Sequence, residues 1–162
     1  MVGSDLYFGS IQPAFTCTFF CQIECGAFPD SEWTDFAETV LSWWSDAVSG
    51  AVHPAEMKCK LLFEDGPFWI DVTKQNGNAL LHFNTDRRNT QTIPDAQMPF
   101  RELASEVEKA LRKLSSSLYL TQQFEASKAI AIKAAQLRAQ LSSSRTMPGT
   151  VKSYAQNQQR HL

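Results

Sequence analysis

Residue types able to do acid–base or nucleophilic chemistry gather in three places. The first is FPDSEWTDF, residues 28–36, where Asp30, Glu32 and Asp35 surround Trp33 at the head of an apolar run. Paired carboxylates exchange protons with a substrate when a cleft shifts their pKa values. The second is the pair Asp71 and His82, a carboxylate and an imidazole of the kind that activate a hydroxyl or thiol nucleophile. The third is C-x3-C-x3-C at Cys17, Cys21 and Cys25, with Cys59 apart from them.

The cysteines fail as a metal site on spacing. On a strand, consecutive members would stand about 13 Å apart, given a rise near ~3.3 Å per residue, and one ion cannot collect ligands over that span. The C-x2-C pairing of zinc sites is missing. Alternation puts Cys17, Phe19, Cys21, Ile23 and Cys25 on one face, against Thr16, Thr18, Phe20, Gln22 and Glu24 on the other. The four cysteines are therefore expected to be reduced, buried and hydrophobic in role. The chain contains no P-loop, G-x-G-x-x-G, H-E-x-x-H or G-x-S-x-G, so no catalytic residue, metal ligand or cofactor is assigned.

The elements that must position these groups follow from periodicity. A strand is expected over about 14–25, ended by Gly26 and a turn at Phe28-Pro29. Asp30 or Ser31 can then cap a helix over 31–49. Trp33, Phe36, Ala37, Val40, Leu41, Trp44, Ala47 and Val48 give that helix one broad apolar face, and Gly50 supplies a stop. Its opposite face carries Glu32, Asp35, Glu38 (or Thr39), Ser42 and Asp46. A convex helix face seldom offers a cleft for proton transfer, so a solvated face comes first, then an acidic recognition ridge, with acid–base chemistry as the third alternative.

Two hairpins come next. Cys59, Leu61 and Phe63 alternate with Lys58, Lys60, Leu62 and Glu64 before Asp65-Gly66. Phe68, Ile70 and Val72 lead to Asn76-Gly77, then Ala79, Leu81 and Phe83. Counting from the turns pairs Phe63 with Phe68, Leu61 with Ile70, Cys59 with Val72, Ile70 with Phe83 and Val72 with Leu81. The other face then carries a row of Lys60, Asp71 and His82 beside a row of Leu62, Trp69 and Asn84. A cross-strand charge ladder accounts for the first row without chemistry. Leu62, Trp69 and Leu80 would be exposed unless something covers them.

A weaker fourth strand is expected over Asn89–Ile93, then a loop between Pro94 and Pro99. Phe100, Leu103, Val107, Ala110, Leu111, Leu114 and Leu118 mark a helix, and residues 125–141 are strong helix formers. The expected fold is α+β: an antiparallel sheet of four or five strands, a Trp-rich helix on one face, and a C-terminal helical extension. Its expected divisions are a core over 12–120, a C-terminal helix over 121–141 and a mobile tail over 142–162. Residues before 12 receive no role.

Charge is divided unevenly. Of the 162 residues, 43% are hydrophobic and 20% charged, with a net charge of −2. Residues 1–100 carry five Lys/Arg against 13 Asp/Glu, or −8, and residues 101–162 carry ten against four, or +6. The basic residues Lys128, Lys133, Arg138, Arg145, Lys152 and Arg160 are sparse, have only Tyr154 as a nearby aromatic, and belong to a chain whose acidic body would repel phosphates, so no nucleic-acid partner is expected. No apolar run approaches the roughly 20 residues that span a membrane. The N-terminus lacks a secretory pattern. The expected compartment is the cytoplasm, with no membrane partner.

The segment FPDSEWTDFAETVLSWW resembles a pattern in small uncharacterised bacterial α/β proteins, some of which look like immunity proteins of toxin systems. The resemblance covers about residues 12–112 and its motif is structural. It implies a cytoplasmic, non-catalytic protein that binds a toxin domain tightly, and it carries no catalytic residue. Charge points the same way, towards a basic protein domain as partner, met through Glu32, Asp35, Glu38 and Asp46, with Trp69, Asp71 and His82 as a second face. One alternative is a small enzyme using the Asp71/His82 face, which a cleft at His82 would favour. Another is an adaptor that forms homo-oligomers through residues 100–141, which an exposed apolar stripe there would favour.

Overall fold

A computed structural model describes residues 5–11, 16–23, 26–86 and 93–144. The chain runs β1 (Asp5–Ile11), β2 (Thr16–Ile23), β3 (Gly26–Phe28), β4 (Thr34–Phe36), α1 (Ala37–Ala51), β5 (Met57–Leu62), β6 (Phe68–Gln75), β7 (Asn78–Thr85), β8 (Ala96–Pro99), α2 (Phe100–Leu120) and α3 (Phe124–Ser143). This is an α+β fold with antiparallel sheets and a C-terminal helical pair.

The order β5-β6-β7-β8 forms one sheet. Its register is the one the turns dictate: Cys59 faces Val72, Leu61 faces Ile70, Ile70 faces Phe83 and Val72 faces Leu81. Asn76 and Gly77 both take positive φ, 52° and 79°, as a tight turn matching the strand twist requires. The Asp65-Gly66 connection is looser, yet the Phe63 amide still donates to the Phe68 carbonyl. Alternation then sorts the faces. Phe68, Ile70, Val72 and Lys74 point inward on β6, and Ala79, Leu81 and Phe83 on β7.

The fourth strand differs from expectation. It is Ala96–Pro99, which buries Ala96 and Met98 and pairs with β7. Ile93 lies outside it, and residues 89–92 lie outside the described residues. Two prolines suggested a loop, but an edge strand tolerates proline because one side of its ladder is unpaired. A second difference lies before residue 12, where no role was expected. There β1 pairs antiparallel with β2, Leu6 facing Cys21 and Phe8 facing Phe19. Both β3 and β4 pair with β2 as well, at opposite ends.

The expected helix over 31–49 begins later, at Ala37. Residues 34–36 are a strand instead, with Thr16 facing Phe36 and Thr18 facing Thr34. No side chain caps α1. Asp30 instead accepts the Glu32 amide, 2.9 Å, in a local turn.

From Ala37 on, Val40, Leu41, Trp44 and Val48 are buried as the apolar stripe predicts. They enter one core with Leu61, Ile70, Val72 and Leu81 from the sheet and Leu103, Val107 and Leu111 from α2. Ile130, Ala134, Leu137 and Leu141 of α3 join the same core. The C-terminal helix is thus packed into the body, and the apolar stripe of 100–141 is used inside the chain. Between the helices, Gln122 takes φ 64°, and the amides of Gln122 and Gln123 donate to the carbonyls of Tyr119 and Leu118. That closure satisfies the last carbonyls of α2 without glycine. Residues 145–162, most of the expected tail, lie outside the described residues.

Candidate functional site

At the N-terminal end of α1 sits a buried carboxylate. Asp35 is 1% exposed. Its oxygens accept the backbone amides of Phe36 (2.7 Å), Glu64 (3.1 Å) and Asp65 (3.2 Å), and the Trp33 indole N–H at 3.3 Å. Burying a carboxylate is costly unless donors replace its water, and here four do. The price of that burial is met by order: the 63–67 connection is drawn onto β4. Trp33 stacks edge-on against Phe68 with centroids 4.8 Å apart. A Cβ on Gly66 would come within 2.9 Å of the Trp33 ring, so only glycine permits this approach.

The result is a cluster of carboxylates that sequence separation conceals. Asp30, Glu32, Glu64 and Asp65 are all exposed, and Asp35 ties the two loops that bear them. The Asp86 amide donates to the Pro67 carbonyl, which brings a fifth exposed acid to the same connection. Large apolar side chains border it along the chain: Phe36 follows Asp35 and Leu62 precedes the connection, and both are exposed.

The C-terminal end of α1 is held by the opposite charge. Lys74 reaches from β6 and is buried. Its ammonium donates to the carbonyls of Ala51 (2.7 Å), Val52 (2.8 Å) and Pro54 (2.7 Å), and lies 4.6 Å from the Phe100 ring centroid. Burial lowers its pKa from the ordinary lysine value. An anion at the start of a helix and a cation at its end both match the macrodipole.

The ridge expected on the first helix is taken apart by this arrangement. Glu32 precedes the helix, and Asp35 faces inward from β4, so it cannot point at a partner. Glu38 is half-buried in the first turn of α1. Asp46 is exposed but pairs with Lys133 of α3, Oδ1 to Nζ 2.5 Å. What the sequence reading missed were Glu64, assigned to the outer side of a strand, and Asp65, assigned to a turn. An acidic pair in a hairpin connection was the one signal pointing to them.

No protein-family model matches the chain, and no curated protein and no solved structure does so either. Its site must be read from its own geometry.

On the outer face of the β5–β8 sheet, Lys60, Asp71 and His82 do form one row. The chemistry differs from a relay. His82 Nδ1 meets Asp95 Oδ1 at 2.5 Å, while Asp71 accepts from Asn84 (3.0 Å) and the Trp69 indole (3.3 Å). Lys60 stands 3.5 Å from Asp71 and 5.1 Å from the Trp69 ring centroid. Among the described residues, no hydroxyl or thiol is hydrogen-bonded to His82. Leu62 and Leu80 are exposed on this face and Trp69 is half-buried.

Cys21 and Cys59 are free thiols, Cys21 buried and Cys59 half-buried. Burial pushes both thiols up, Cys59 to about 11, so neither is a thiolate at neutral pH. The side chain of Cys17 and all of Cys25 lie outside the described residues. Among the described residues, no three His, Cys, Asp or Glu converge on a metal position, and no helix is long and apolar enough to cross a membrane.

Proposed function

We propose that this protein is a non-catalytic binding module that captures a basic protein domain at the acidic end organised by Asp35. The observation that supports it most is the gathering of Asp30, Glu32, Glu64 and Asp65 around one buried carboxylate, beside exposed Phe36 and Leu62. Carboxylates on rigid loops steer a basic partner and speed encounter, and adjacent apolar side chains slow its departure. This is the behaviour of an immunity protein towards a toxin domain, the role that the FPDSEWTDFAETVLSWW resemblance implies. In this reading Trp69, Asp71 and His82 form a secondary face, and Asp46 belongs to the contact between α1 and α3.

The test is a pull-down from the native host, followed by association kinetics at two salt concentrations. Glu32→Lys, Glu64→Lys and Asp65→Lys together should slow association at least tenfold at low salt and flatten its salt dependence. These side chains are exposed, so the fold should remain. A captured partner that binds the triple variant at the parental rate rules out this surface. Asp71→Lys on the secondary face should slow association by less than threefold.

A further inference from the structure

Between α2 and α3 runs an open groove of about 590 Å³ with a buried carboxylate among its lining residues. Glu108 is 6% exposed. Its Oε1 lies 2.9 Å from Arg112 Nε, on the same helix, and 3.1 Å from Arg138 Nε, on the facing one. Because both nitrogens share one oxygen, they stand no more than about 6 Å apart.

One guanidinium is enough to compensate one buried carboxylate. The second leaves a net positive charge in the groove. Each arginine engages Glu108 through Nε, which leaves the Nη donors outside that contact, and the side chains are 51% and 61% exposed. Here Glu108 accepts a hydrogen bond from Arg112 and pairs by charge with Arg138, which brings two forks to one open groove. Forks so arranged fit the paired oxygens of a carboxylate or phosphate.

The rest of the lining defines the remainder of a ligand. Ala131 and Ala135 give low methyl walls. Past Ser115 and Ser116 a second depression continues to Tyr119 and Leu120, both exposed. The groove volume falls within the range of small-molecule sites.

We propose that this groove binds a small organic anion, its carboxylate or phosphate head on Arg112 and Arg138 and a short apolar body along Ala131 and Ala135 towards Tyr119. This does not depend on the acidic end of the molecule or on a protein partner.

The experiment follows the arginine side-chain Nε–Hε resonances of the full chain during titration with hexanoate, hexyl phosphate, inorganic phosphate and hexanol. At least one of hexanoate and hexyl phosphate should shift the Arg112 and Arg138 signals saturably, and hexanol should not. A tenfold preference between the two anions identifies the head group. Tighter binding of hexyl phosphate than of inorganic phosphate reports the apolar body. Arg138→Gln should weaken binding at least tenfold with an unchanged circular dichroism spectrum, since Arg112 still holds Glu108. If that variant misfolds, Arg138→Lys replaces it, with at least a threefold loss expected. The proposal is overturned if neither organic anion gives a saturable shift, if hexanol or inorganic phosphate binds as well as both, or if the Arg138 variant binds as tightly as the parent.

Discussion

The two ends of α1 are held by buried charges of opposite sign, and they are held differently. At the start, Asp35 gathers four N–H groups, two of them from the connection after β5. At the finish, Lys74 donates to three carbonyls, all from the helix end and the residues just after it. Asp35 therefore joins β4 to the connection after β5, and Lys74 joins β6 to the end of α1 and the residues just after it. The carbonyls that Lys74 meets are helix-end orphans, and those of Ala51 and Val52 belong to buried residues. Two of the N–H groups that Asp35 meets belong to the 63–67 connection, against which the Trp33 ring also packs at Gly66. Asp35 serves four donors, whereas the Lys74 ammonium serves three acceptors and is penalised by burial, so losing Asp35 should matter more.

Trp44 lies between the two ends and sets the scale. It is fully buried, and its indole N–H donates to the Leu62 carbonyl at 2.7 Å. Trp44→Ala should cost about 3–5 kcal/mol, read as a lower denaturant midpoint. A midpoint equal to the parent would mean that α1 does not depend on this contact at all.

Asp35→Ala should come next, at about 3 kcal/mol, because several partly buried N–H groups lose their acceptor together. Asp35→Asn should lose less, since one oxygen remains. Amide exchange at Glu64 and Asp65 should accelerate in both variants. If exchange there stays at the parental rate, Asp35 is not what orders the connection.

Lys74→Met should cost least, about 1–2 kcal/mol, because the lost hydrogen bonds are partly offset by relief from desolvation. A larger loss than for Asp35→Ala would reverse the comparison. The same variant has a pH signature. With the folded pKa lowered by burial, the unfolded chain binds more protons in alkaline solution below the ordinary lysine value. Stability therefore rises with pH through that window, and Lys74→Met should flatten the rise. An identical alkaline slope in parent and variant would show that the ammonium is not desolvated.

Much of this architecture was legible in the chain because its determinants are local. Alternation of period two, interrupted by Asn76-Gly77, specified the pairing of β5, β6 and β7 residue by residue. The helical stripes of Val40 to Val48 and of Phe100 to Leu118 named the faces that are buried. The turn after α2 was less visible, because its left-handed residue is Gln122 and no glycine marks it.

The candidate site was far less legible. Residues 31–36 carry helix-start chemistry, so Glu32 and Asp35 read as an outward stripe running on to Asp46. That reading fails because β2 offers a strand edge to residues 34–36 and the 63–67 connection offers amides to Asp35, about 30 residues away in sequence. Periodicity shows which residues share a face of one element. It carries no information about which distant amide finds a carboxylate, or which two loops a buried charge will join. The sequence alone therefore determined the sheet register and the core faces. Only the tertiary structure decided which acids are spent inside and which remain on the surface, because that depends on desolvation and on donors contributed by remote parts of the chain.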